Sequence, residues 1–148
     1  MGDISKNFSY IEFERSATAE RLGIDNTMPP EVRERVKELM ERLLQPLRDA
    51  WGSPLTVTSG YRCEALNKAV KGSATSAHVC GWAADLVPAN GQIDKFYAFT
   101  EKWLKDNKIV FDQCIRERNR AGTSQWLHLG YKNRQGQQRR MFLNLVKK

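Results

Sequence analysis

The sequence predicts an α+β domain: a small antiparallel sheet with helices packed on one side. Three observations carry this. Two stretches, 31–47 and 93–106, place apolar residues at three- and four-residue steps, the period of a helix with one buried face. Short runs rich in aliphatic, aromatic and β-branched residues lie at 55–58, 82–87, 109–117, 124–131 and 140–146, the lengths of strands. Turn-forming residues separate the last of these runs. At 148 residues, all of it (1–148) reads as one domain with enough material for a core.

Taken in order, Pro29-Pro30 followed by Glu31 opens the first long helix, because proline is tolerated in a first turn and an acid suits the N-terminal dipole. Val32, Val36, Leu39, Leu43 and Leu47 form its apolar face. Pro46 removes a backbone donor and clashes with the preceding turn, so a kink or break is expected near Arg42 and Leu43. Gly52 ends the segment, and 55–58 forms a strand that delivers Arg62 just past its end. Residues 64–70 read as a short helix, 71–75 as a loop, and 82–87 as a strand carrying Asp85. In the helix at 93–106, Phe96, Phe99, Trp103 and Leu104 face inward. The last third reads as a meander: 109–117, a turn at 118–123 containing Gly122, 124–131, a turn at 133–136, and a final strand at 140–146. Alternation along 124–131 puts Trp126, His128 and Gly130 on one face and Leu127, Leu129 and Tyr131 on the other.

The chain has only two histidines, His78 and His128, and each lies in an ordered-looking segment. With Asp85 they make a set of two imidazoles and one carboxylate, which suits zinc. Three protein ligands leave the fourth position open, the arrangement of a catalytic rather than a structural site. Taken singly, each of these residues has a plainer explanation, as a satisfied core histidine or a turn aspartate. Cys63, Cys80 and Cys114 are too few, and odd in number, for a disulfide framework. Cys80, two residues from His78, reads as a small semi-buried residue.

Composition excludes some classes. The chain is 41% hydrophobic and 28% charged, and no apolar run approaches the ~20 residues of a membrane span. The start, Met1 to Lys6, lacks the basic-then-apolar pattern of a secretory signal, so the expectation is either cytoplasmic synthesis without a signal peptide or a leader already lost. The net charge of +7 would suit an anionic partner. Nucleic acid is one such partner, supported by charge alone. The basic residues are scattered, with local excess at 116–120 and 132–140, and a bacterial cell wall is also anionic.

Several motifs extend the metal reading. Ser59-Gly60-Tyr61-Arg62, Leu66-Asn67-Lys68-Ala69-Val70, Gly72-Ser73, Ser76-Ala77-His78, Gly81, Ala83-Ala84-Asp85, Phe111-Asp112-Gln113-Cys114-Ile115 and Trp126-Leu127-His128 follow one another in the chain. Together they resemble the signature of the M15 zinc peptidases, the D-alanyl-D-alanine carboxypeptidases and related peptidoglycan peptidases of bacteria and phages. Segments 8–13 and 18–24 resemble the entry of the phage and prophage branch, so the likeness runs from about residue 8 to 131.

The resemblance implies an M15/hedgehog-like fold with the zinc site on the sheet face. It implies His78, Asp85 and His128 as zinc ligands. It gives Arg62 the role of binding substrate or steadying the charged transition state, and Ser76 that of supporting His78 or binding substrate. Gly81 and Ala83 mark tight packing around the site. Many members carry Glu or Asp three residues before the last histidine, where this chain has Gln125, which cannot take a proton. Either Glu117 supplies the base from across the hairpin, or Gln125 marks a slow or inactive site. Asp112 and Gln113 read as structural hydrogen-bonding residues.

The expected activity is hydrolysis of the peptide stem of peptidoglycan by a monomer, with no nucleic-acid or membrane partner. The cut falls either at the terminal D-Ala-D-Ala bond or, as in endolysins, within the stem. A phage or prophage origin would fit a protein that reaches the wall after release. The alternative is a non-catalytic module that keeps the zinc fold and binds wall or peptide.

Overall fold

The computed structural model describes residues 3–147; Met1 and Gly2, the start of the terminus considered above, and Lys148 lie outside the described residues. Two short helices come first, α1 (Tyr10–Glu14) and α2 (Ala17–Leu22). The carboxylate of Glu12 accepts the backbone N–H of Ser9 at 2.7 Å, and Ser16 Oγ accepts that of Ala19 at 3.1 Å. Both caps supply acceptors to otherwise orphaned helix donors. Neither of these two helices is long enough to show a repeating apolar face.

Helix α3 (Pro30–Leu39) continues through a wide π turn at Met40–Leu44 into α4 (Gln45–Trp51). The π turn is the break that Pro46 demands. Widening the helix just before the ring relieves its clash with the preceding turn and leaves Pro46 in the first turn of α4, where no donor is needed. Val32, Val36, Leu39, Leu43 and Leu47 are all buried, as their spacing predicts.

Five strands form one sheet: β1 (Leu55–Ser59), β2 (Ala83–Pro88), β3 (Gln113–Asn119), β4 (Gln125–Gly130) and β5 (Met141–Lys147). Their order is β1-β2-β4-β3-β5. Between β1 and β2 lie α5 (Glu64–Ala69) and a 3₁₀ turn at Ala77–Cys80; α6 (Ile93–Asp106) joins β2 to β3. The hairpin of β3 and β4 forms as expected, but the last third is not a meander. β5 pairs with β3, and the pair is parallel. A meander would seat β5 against the outer edge of β4, and β2 already occupies that edge through the Asp85–His128 and Leu86–Leu127 pairs. The sheet is therefore mixed rather than wholly antiparallel. The first strand of the hairpin also starts later than the apolar run suggests, because residues 109–112 bring the chain from α6 to the sheet.

The core sits between α3, α4, α6 and one sheet face, where Leu86, Leu127, Leu129, Ala84 and Cys114 are buried with Leu39, Leu43, Leu47, Phe96 and Leu104. Alternation sends Asp85, His128, Ile115 and Glu117 to the opposite face. The leucines thus anchor the very strands that present the polar side chains. Phe99 and Trp103 are only half-buried. The three cysteines are free. Among the described residues no helix is long and apolar enough to cross a membrane.

Candidate metal centre

Three elements converge on the sheet face away from the long helices. Asp85 on β2 is paired with His128 on β4, so the two side chains project side by side. His78 arrives on the 3₁₀ turn, which Gly81 ends in the left-handed region (φ +81°). A Cβ there would come within 2.8 Å of Val32, so only glycine lets the turn lie this close to α3.

Potential ligand atoms of His78, Asp85 and His128 all lie within 4.8 Å of one another. Asp85 Oδ1 is 3.3 Å from His78 Nε2 and 3.1 Å from His128 Nδ1. His78 Nδ1 lies 2.6 Å from the carbonyl oxygen of Gly60. A carbonyl only accepts, so Nδ1 carries the proton and Nε2 turns a bare lone pair towards a carboxylate oxygen. Burial also holds the His78 pKa below its ordinary value, against the pull of Asp85. Two facing acceptors with no hydrogen between them suit a cation between them. Their separations match the edge of about 3.3 Å expected for a tetrahedron with metal–ligand bonds near 2.0–2.1 Å. The donor set fits zinc, and the Gly60 carbonyl is the outer partner that fixes the ring of His78.

Gly60 is itself constrained. A Cβ there would lie 2.6 Å from the ring of Phe13, and the neighbouring Tyr61 N–H donates to the Phe13 carbonyl at 2.8 Å. Helix α1 thereby sets the height of the carbonyl that holds His78.

One cavity joins these residues to Arg62, Ser76, Glu117, Gln113, Asp112 and Arg139. Arg62 Nη2 donates to Ser76 Oγ at 3.2 Å, and the same oxygen accepts the His78 backbone N–H at 3.2 Å. With its oxygen so engaged, Ser76 keeps its hydroxyl hydrogen free to donate into the cavity. Arg62 Nε is buried without a partner. Burial lowers the Arg62 pKa, and the charges of Asp85 and Glu117 work against that shift. Glu117 is 9% exposed, and its Oε2 accepts the indole N–H of Trp126 at 3.0 Å.

The sequence-predicted residues divide. His78, Asp85, His128, Arg62, Ser76 and Glu117 line the one cavity. Gln125 does not reach it. Alternation puts Gln125 on the opposite face of β4 from His128, where its Oε1 accepts from Arg116 at 2.8 Å. Trp126, a partner of Glu117 that the sequence does not announce, faces it in register across the hairpin. Arg139 binds Asp112 through its guanidinium and backbone N–H. No periodic signal links Arg139 to Asp112, because a ten-residue connection separates β4 from β5.

Two imidazoles and a carboxylate form a group that could hold a metal ion, with a guanidinium and a second carboxylate on the walls of the same cavity. A family model described as peptidase M15 matches residues 6–129, and the chain belongs to that family, whose members are zinc metallopeptidases. No curated protein matches the chain.

Proposed function

We propose that the protein hydrolyses the peptide stem of bacterial peptidoglycan, with His78, Asp85 and His128 as zinc ligands. The observation that carries the proposal is the single cavity in which this ligand set meets the carboxylate of Glu117 and the guanidinium of Arg62. The choice of substrate rests on the motif resemblance, and the net charge of +7 favours encounter with an anionic wall.

Zinc, when bound, supplies Lewis acidity and acidifies a water. The chain's own residues do the rest. The bond from Nδ1–H to the Gly60 carbonyl sets the His78 tautomer that leaves Nε2 to bind the metal. Glu117, held at Oε2 by Trp126, takes the proton of the attacking water on its carboxylate and returns it to the departing amine. Glu117 and His128 are diagonal neighbours across β3 and β4, a Cα separation of roughly 7–8 Å that leaves room for the water and the scissile carbonyl. Arg62 donates to a substrate carboxylate or to the oxyanion that develops. Ser76 orients Arg62 and donates its hydroxyl hydrogen to a substrate acceptor. Gln125 has no part in this scheme.

The test is mass spectrometry of purified muropeptides incubated with zinc-loaded protein, with His78→Ala as control. Loss of one terminal alanine identifies a carboxypeptidase; a cut within the stem identifies an endopeptidase. No product from folded, zinc-bound wild type would overturn the proposal in favour of a wall-binding module.

A further inference from the structure

Leu145 has no part in the scheme above, yet it lines the same cavity. Most of that lining is polar. Among the described residues only Ala77, Ile115 and Leu145 bring apolar side chains to it. Ile115 is 6% exposed and offers little surface, whereas Leu145 is 43% exposed although it lies within β5. A single exposed leucine is ordinary on a protein surface. This one has a consequence because of its neighbour, the proposed base.

The register makes them neighbours. β5 runs parallel to β3, with Leu145 opposite Glu117 and Leu143 opposite Ile115. Adjacent strands lie about 4.8 Å apart, and paired residues project to the same face. The side chains of Glu117 and Leu145 therefore stand next to each other on the metal side of the sheet, and both line the cavity. β4, which carries His128, flanks β3 on its other edge. In the proposed reaction the scissile carbonyl lies at the metal group, and Glu117 must come within hydrogen-bonding reach of the departing amine. The residue that supplies this amine then lies against Glu117, where Leu145 is the exposed apolar surface.

We propose that Leu145, with its diagonal neighbour Ile115 on β3, is a specificity-determining residue that takes an apolar side chain on the amine side of the scissile bond. The inference rests on the peptidase reading and deepens it. Two plainer roles differ from it in what they would change. A leucine that only completes the strand would affect stability and nothing else. A leucine that only keeps water from Glu117 would affect the turnover of all peptides alike. Contact with the substrate side chain makes the effect of Leu145 depend on that side chain.

The experiment measures discrimination between substrates. The muropeptide digest first gives the bond that is cut. Synthetic peptides spanning that bond are made in two pairs, alanine against glycine as the residue that supplies the amine, and alanine against glycine as the residue that supplies the carbonyl. Values of kcat/KM are measured for zinc-loaded wild type and Leu145→Ser. Wild type is expected to prefer alanine on the amine side by roughly tenfold, the low end of what one methyl group is worth in an apolar pocket, because this wall is open on one side. In Leu145→Ser that ratio should fall towards one, while the carbonyl-side ratio stays as in wild type. Should Leu145→Ser lose its unfolding transition or its zinc, Leu145→Ala decides instead, since it keeps an apolar side chain but shortens it; its amine-side ratio should also drop. An amine-side ratio near one in wild type, an undiminished ratio in the variants, or a loss equal for all four peptides overturns the inference alone and leaves the peptidase proposal standing. A charged residue on the amine side of the natural cut does the same. Absence of turnover of muropeptides and of every peptide by folded, zinc-bound wild type overturns both.

Discussion

Replacing Trp126 by phenylalanine removes one hydrogen-bond donor and keeps an aromatic ring of similar shape. The indole N–H is 3.0 Å from Glu117 Oε2, and Glu117 is 9% exposed, so water does not readily replace the lost donor. A hydrogen bond to a charged group contributes about 1.5–3 kcal/mol, and each 1.4 kcal/mol is a factor of ten in rate. If that bond aims the carboxylate, Trp126→Phe should lower kcat/KM on a muropeptide substrate by roughly ten- to a hundredfold. Glu117→Gln, which removes the base, should cost about 10²- to 10⁴-fold. The informative comparison is the double variant. When Trp126 acts only through Glu117, the double variant turns over no more slowly than Glu117→Gln alone, because nothing remains for the indole to orient. Independent losses that multiply would refute the reasoning and give Trp126 its own contact with substrate. Zinc content and the unfolding midpoint of each variant separate misfolding from misalignment.

Other expectations follow from the same geometry. Removal of metal by a chelator should abolish hydrolysis and lower the thermal midpoint, and added zinc should restore both; His78→Ala should show neither effect, as read by calorimetry and metal analysis. Metal-free protein should lose stability as pH falls from 7 to 5. Burial keeps the His78 pKa below its ordinary 6.5, so the unfolded chain takes up a proton in this window that the folded chain refuses. Urea midpoints that do not move between these pH values would contradict that. Gly60→Ala should weaken zinc binding measured by competition with a chromogenic chelator, because a Cβ 2.6 Å from Phe13 displaces the carbonyl that holds His78 Nδ1. Leu129→Ala should destabilise the fold by about 2–5 kcal/mol in denaturant titration, since the side chain is fully buried beneath the site strand.

What the sequence reveals and what it hides follow from the range of the forces involved. Val32 to Leu47 declares a helix because burial of one face imposes a period, and Pro46 declares its irregularity because the ring lacks a donor. His128 is legible for the same local reason: alternation opposes it to Leu127 and Leu129, whose burial fixes which way it points. Alternation also places Gln125 on the core side of β4, so the residue at the position of the missing acid cannot reach the cavity. The order of the strands is another matter. Whether β5 joins β4 or β3 depends on β2 having taken the outer edge of β4, a competition between segments more than forty residues apart that no local pattern records. That long-range choice carries Arg139 to Asp112 and places Leu145 at the cavity. In this fold the proposed ligands on β2 and β4 are written in local alternation, whereas the wall of the cavity beside β5 is set by tertiary pairing. The shape of that wall is therefore the property of the site least readable from the chain.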